Sequence, residues 1–338
     1  MSTPATPRGV DPSPTPGPRD RRTAVLAAGA MGVTILLWAS AFVGIRSVGS
    51  DIGPGPLTLG RLAVGSFVLG LFLVARRPAW PAREHWPRLV AIGLLWFGVY
   101  NVALNTAEQR VDAGTAAMLV NVAPLIVAAL AGVVLGEGFP RPLVLGGLVA
   151  FAGVVLIGTA TSTSTEADVW GVVLCLVAAV TYSVSVILQK PLLGALPGLQ
   201  VTWIACTVGT VVCLPFAPQL VADVSDAAPA SLWGLLYLGV FPTAIGFSTW
   251  AYTLARTSAG RTGATTYLVP PVAVLLGWLL LDEAPPALAL AGGALCLVGV
   301  AVTRRGAGRR PHPRPEPVVG PDVALAADVP PVVDAPAR

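Results

Sequence analysis

Ten stretches of this 338-residue chain carry no charged side chain: 23–45, 62–75, 89–107, 113–136, 142–165, 169–189, 191–222, 227–255, 262–281 and 284–303. A helix needs about 20 mainly apolar residues to cross the hydrocarbon of a bilayer, and nine of the ten runs suffice as they stand. The second reaches that length only with Arg61 inside it, giving a span near 57–75. Where water cannot reach the backbone, a helix satisfies its own N–H and C=O groups. The expected fold is therefore all-α and integral to a membrane, with ten transmembrane helices.

Composition points the same way. Charged residues make up 11% of the chain and the mean hydropathy is +0.75, against about 25% charged residues in soluble domains. The net charge of +4 sits in short gaps between apolar runs, not along one face, so no nucleic-acid partner is expected. Cys175, Cys206, Cys213 and Cys296 fall inside apolar runs, and His85 and His312 in polar connections. The cysteines read as small buried residues, with no metal and no cofactor expected.

The ends differ from the middle. Residues 1–22 hold six prolines and 304–338 hold eight, without apolar periodicity, so both are expected to be disordered tails. The first apolar run exceeds the usual core of a cleaved signal peptide and reads as a first spanning helix. With the N-terminus placed in the cytoplasm, 18 of the 21 basic residues fall on the inner side. Only Arg46, Arg61 and Arg110 fall on the outer side. The positive-inside rule thus puts both termini in the cytoplasm. One lysine against twenty arginines, amid abundant Ala, Gly and Pro, suggests a GC-rich bacterial genome; the expected location is the inner membrane.

Shifting the chain by 146 residues lays its second half on its first. Arg110, Ala113 and Gly114 meet Arg256, Ala259 and Gly260; Pro124 meets Pro270; Glu137 meets Glu283; Gly146 and Gly153 meet Gly292 and Gly299. An earlier match, at a shift of 144, sets Trp38 and Arg46 beside Tyr182 and Lys190. Residues 23–160 and 169–303 thus read as two copies of a five-helix unit. Five is odd, so the second copy enters the membrane from the opposite side. Inverted repeats of this kind build transporters whose central site faces each side in turn.

The chain resembles the EamA-type permeases of the drug/metabolite transporter superfamily. The likeness rests on LWASAFVGIR at 37–46, on GTAAMLVNVAPLIVAALAGVVLGEGFPRPLVLGGLVAFAGVVLIG at 114–158 and on its second copy at 258–303. It implies ten helices, cytoplasmic termini and export of small metabolites, amino acids or drugs, driven by an ion gradient or by exchange. The expected partners are a small-molecule substrate and the lipid bilayer, with a homodimer left open.

Polar and aromatic groups inside spans are the candidate site residues, because facing lipid would be costly for them. Asn101, Asn105 and Glu108 share one helix face, where they either line the central cavity, or the asparagines bond to neighbouring helices and Glu108 sits at the headgroup level. Asn121 precedes Pro124 as Tyr267 precedes Pro270; each proline frees a carbonyl and opens its helix, which either brings Asn121 and Tyr267 to a central site or makes packing kinks with the polar residues as hydrogen-bond partners. Trp38 and Tyr182 either stack on substrate or pack structurally. Arg46 and Arg61 attract an anionic group, pair with Asp51, or snorkel to headgroups. Arg46, Arg61, Glu108, Pro124 and Pro270 are the candidates for coupling or gating. Glu137 and Glu283 read as structural caps on the first amides of the helix that follows each.

No GxSxG, HExxH or phosphate-binding GxxxxGK[ST] motif is present, and the loops are too short for a catalytic domain, so an enzyme is not expected. A proton-coupled importer is the runner-up, and a channel or membrane sensor a more distant one.

Overall fold

A computed structural model of the chain describes residues 18–110, 119–161, 168–281 and 286–305. All regular structure among them is helical: α1 (Pro18–Val48), α2 (Pro54–Arg76), α3 (Arg83–Ala107), α4 (Ala123–Val134), α5 (Arg141–Thr161), α6 (Val169–Ala195), α7 (Gly198–Val212), α8 (Leu214–Asp226), α9 (Pro229–Arg256), α10 (Ala259–Leu280) and α11 (Ala287–Arg305). Seven helices are long and apolar enough to cross a membrane, and eight if the bent pair α7–α8 counts as one span. Two shorter apolar helices, Ala123–Val134 and Ala287–Thr303, complete the set among the described residues.

Several expected boundaries move, each for a local reason. Pro18–Arg22 are helical and open α1, so the N-terminal tail is shorter than 1–22. The remainder of the tails and Glu283 lie outside the described residues, as does the side chain of Arg46. The run 191–222 is not one straight span: the chain bends by 51° after α7. Pro215 and Pro218, in the turn and the first residues of α8, lack the N–H groups that would continue the α7 ladder. Conversely, α6 passes through Lys190 and Pro191 and ends only at Ala195.

Helix packing follows the small residues, as lipid-embedded helices require when backbones must approach closely. On α5, a Cβ added to Gly146 would lie 2.6 Å from the Gly299 carbonyl oxygen, and one on Gly153 2.6 Å from that of Gly292. Gly146 thus faces Gly299 while Gly153 faces Gly292, so α5 and α11 cross antiparallel. These four glycines are two equivalent pairs under the 146-residue shift. The contact is therefore reciprocal, the pattern of a two-fold interface.

A second contact repeats the pattern. Gly93 on α3 presses on Val208 and the Ala205 carbonyl of α7; Gly239 on α9 presses on Val64 and the Arg61 carbonyl of α2. Gly93 and Gly239 are 146 apart, and the residues they meet are 144 apart.

α3 and α9 share an irregularity. Each holds an eight-residue π-helical stretch, Gly93–Tyr100 and Gly239–Gly246, again 146 residues apart at both ends. In α9 the cause is legible: Pro242 cannot donate to the Leu238 carbonyl four residues back, and Thr243 Oγ1 donates there at 2.8 Å. In α3 the Asn101 amide donates to the carbonyls of Trp96 (2.9 Å) and Phe97 (3.0 Å). Such widened turns recur at functional sites.

Candidate functional site

The site begins with α1, which runs antiparallel to α9. Thr253 Oγ1 donates to the Ala27 carbonyl, Thr34 and Thr249 pair through their hydroxyls at 2.8 Å, and Ser40 pairs with the Tyr237 hydroxyl at 2.7 Å. This polar seam turns Trp38 inward, where it stacks on Trp250 at 5.2 Å and meets Phe247 at 5.3 Å and Trp96 at 6.3 Å. Trp250 is wholly buried and its Nε1 donates to Gln189 Oε1 at 3.1 Å. Tyr182 closes on Trp96 edge-to-face at 5.1 Å. Offset and edge-on contacts of this kind suit the ring quadrupoles and hold the rings as one block.

Against this block lies a cavity of about 110 Å³, room for about four waters at roughly 30 Å³ each. Trp38, Phe42 and Ile45 of α1 line one wall; Trp96, Tyr100 and Asn101 of α3 line the next; Tyr182, Phe247, Thr266 and Val269 come from the second half of the chain. Asn121 and Pro124 line it as well, where the chain leaves helical geometry at 121–122. Proline costs little there, because the first turn of α4 has no intrahelical partner for its missing N–H. The matching stretch of α10, Thr266–Leu268, narrows to a 3-10 turn before Pro270.

Among the described residues, Arg61 is the one cation on the cavity wall. It is 6% exposed, and its Nε donates to Thr243 Oγ1 at 3.2 Å. The guanidinium is thus held by the hydroxyl that mends the gap left by Pro242. The ion pairs between described residues, His85–Glu84 and Arg110–Asp168, lie elsewhere. Arg61 does not make the pairing with Asp51 weighed from the sequence. The Asp51 carboxylate instead accepts from Ser231 Oγ (2.7 Å) and the Ala228 amide (3.1 Å), at the start of α9. These bonds, Ser231 first, hold its pKa below the usual carboxylate range.

Of the sequence candidates, Trp38, Arg61, Asn101, Asn121, Pro124 and Tyr182 converge on this cavity. Tyr267 points away from it, buried against Phe151 in the cluster that joins α5, α10 and α11. Its neighbour Thr266 takes the place on the wall. Glu108 and Asn105 line a second cavity of about 260 Å³, which shares Phe42 and Ile45 with the first and so adjoins it as a vestibule. Asn105 is also tied down, donating to Thr58 Oγ1 at 2.9 Å. Sequence reasoning missed Trp96 and Phe247. Gly98 and Gly246, the glycines nearest to them, have no glycine counterparts under the 146-residue shift, so the repeat gave no signal for either ring.

The far end of the block is closed by charged grips on one connection. Lys190 Nζ donates to the carbonyls of Leu254 (2.7 Å) and Thr257 (2.6 Å), satisfying the end of α9. Glu137 accepts from the amides of Ala259 (2.7 Å) and Gly260 (3.0 Å), which begin α10. It caps that distant helix and not the one that follows it in sequence. Gly136 and Gly138, at φ 65° and 68°, make the tight turn that swings its carboxylate across.

Comparison with known proteins agrees with this architecture. The model of the EamA-like transporter family matches residues 25–159 and again 169–305. The chain belongs to the EamA-like transporter family. It is therefore a multi-pass membrane protein and a small-molecule transporter. The transporter is 40% identical to the probable terminal-alkyne amino-acid exporter of Streptantibioticus cattleyicolor over 289 residues, covering 84% of this chain and 95% of that protein. It is 32% identical to the uncharacterized transporter YdfC of Bacillus subtilis, covering 79% and 87%. A crystal structure of another protein, 22% identical, matches with a TM-score of 0.70 over 82% of this chain and 96% of that one. At that identity the likeness speaks for the fold alone.

Proposed function

We propose that this transporter exports small amino-acid-sized metabolites by alternating access around the aromatic cavity. In this reading, ten spans form two inverted repeats, residues 23–160 and 169–303, with both termini cytoplasmic in the inner membrane. The observation that carries it is the pair of reciprocal contacts, Gly146–Gly299 with Gly153–Gly292 and Gly93–Ala205 with Gly239–Arg61. The antiparallel crossing of α5 and α11 supports inversion. The cavity draws its walls from both copies, as a site at the repeat interface should.

Orientation by basic residues then places the vestibule of Asn105 and Glu108 on the outer face. The Lys190 and Glu137 grips lie on the inner face. The transporter is thus outward-open, with the aromatic block and the grips sealing the cytoplasmic side. Transport requires that seal to open while the vestibule closes, exposing the same cavity inward. Trp38, Asn101, Asn121 and Tyr182 contact substrate, with Tyr267 behind them as support.

Flux through proteoliposomes tests the reading: a carrier saturates and is stimulated by substrate on the far side, whereas a channel does neither. Cysteine labelling tests the topology. Glu137→Cys and Glu283→Cys are expected to react from opposite faces of the membrane; reaction from one face would remove the inverted repeat. Metabolite release from cells overexpressing the chain, compared with cells lacking it, names the substrate.

A further inference from the structure

The reading of the cavity as the substrate site leaves one element of it without an architectural reason. Arg61 sits within a membrane span, 6% exposed, on a wall whose other described residues are aromatic, aliphatic or neutral polar. A buried cation is costly unless it is paired. No carboxylate among the described residues makes an ion pair with it: Asp51 caps α9, Asp168 pairs with Arg110, and Glu108, in the adjoining vestibule, acts on it only from beyond ion-pair distance. A guanidinium carries five N–H donors, and Thr243 engages only the one on Nε.

The repeat sharpens the point. The packing around Arg61 is matched in the other copy, but the equivalent position there is Ala205, and the equivalent of Thr243 is Phe97. The Ala205 carbonyl receives Gly93 just as the Arg61 carbonyl receives Gly239. Helix packing at this place needs a backbone, then, and tolerates a methyl group. The guanidinium and the hydroxyl that holds it belong to one copy alone, and a site-specific task explains them better than the scaffold does.

We propose that Arg61 is the receptor for the carboxylate of a small amphipathic substrate, whose apolar body lies against Trp38, Trp96 and Phe247. This deepens the reading of the cavity as the substrate site and rests on it. The planar fork of an arginine matches a carboxylate through two parallel hydrogen bonds. The Thr243 bond leaves both terminal nitrogens available for that fork. Asn101 spends its amide hydrogens on the α3 carbonyls, so its Oδ1 remains to accept from an ammonium. The chemistry on the wall therefore suits a zwitterion with a compact apolar side chain.

The test uses the full chain in phosphatidylcholine liposomes, with propargylglycine, its primary amide and the corresponding amine lacking the carboxylate as probes. The wild type should exchange the acid better than the amide or amine by on the order of tenfold to a hundredfold, the worth of a charge-assisted hydrogen bond. Arg61→Gln should collapse that preference to near unity while Arg61→Lys keeps part of it. Folding of both is checked by gel filtration; should Arg61→Gln not fold, the wild-type ratio and Arg61→Lys decide. Equal exchange of acid, amide and amine by the wild type, or an undiminished preference in Arg61→Gln, overturns the carboxylate receptor and leaves the carrier reading intact. No saturable exchange of any probe overturns both the amino-acid reading and this inference. Loss of exchange on adding phosphatidylglycerol would make a lipid headgroup the occupant of Arg61 and likewise overturn it.

Discussion

Cys296 Sγ donates to the carbonyl oxygen of Ala150 at 3.4 Å, and these two residues occupy the same position in the two copies of the repeat. Such a meeting of equivalent residues is what the proposed two-fold relation between the copies requires. Both glycine pairs flank this point, Gly146 with Gly299 on one side and Gly153 with Gly292 on the other. The helices meet there backbone to backbone.

Substitutions at this crossing should therefore be costly in either copy. Gly153→Val and Gly292→Val each put atoms within 3 Å of a facing backbone and should destabilise by about 1–3 kcal/mol or more. Thermal unfolding in detergent measures this. Gly32→Ala, which meets nothing within 4 Å, should leave the midpoint unchanged or slightly raised.

Lys190→Gln should loosen the grip on the end of α9. The ammonium satisfies two carbonyls at the end of α9, and bonds to charged groups contribute about 1.5–3 kcal/mol each at most in such settings. The expected result is a lower unfolding midpoint together with faster labelling of Thr257→Cys from the side that the proposed topology makes cytoplasmic. Unchanged labelling would separate Lys190 from the gate.

Thr243→Val removes the acceptor for Arg61 Nε and the donor to the Leu238 carbonyl at one stroke. Leaving a buried polar group unsatisfied costs about 1–3 kcal/mol. The variant should lower thermal stability and weaken substrate exchange together, whereas Thr249→Val, on the α1 seam, should affect stability with little effect on the acid-to-amide preference.

Stability should fall in acid through two surface carboxylates. Asp168 is held below the usual carboxylate range, chiefly by its bond from Arg110 and then by the Trp170 amide; Asp51 is held down chiefly by Ser231. A depressed folded pKa means the stabilisation is complete above the unfolded value of about 3.9 and is lost as pH falls through the folded one. The unfolding midpoint should therefore decline below about pH 4, and Asp51→Asn with Asp168→Asn should flatten that limb.

Aromatic contact with substrate predicts that Trp96→Ala impairs exchange more than Trp80→Ala. Trp96 lines the cavity and meets five other aromatic rings, whereas Trp80 is 73% exposed beyond the end of α2. Comparable flux in the two variants would remove Trp96 from the site.

Charge-free runs determine that the chain is helical and built for a membrane, because lipid imposes length and apolarity on each span separately. The same local logic located Trp38, Asn101, Asn121 and Tyr182, polar or aromatic groups out of place in lipid. What it could not decide was where a helix departs from regularity or which distant group it meets. Pro242 and Thr243 widen α9 so that Arg61 is caught from α2, and Glu137 reaches α10 past the helix that follows it. Tyr267 and Thr266 exchange roles through one step of helical rotation. Such choices belong to the tertiary structure, since a side chain's partner is set by the facing helix and not by its neighbours in sequence.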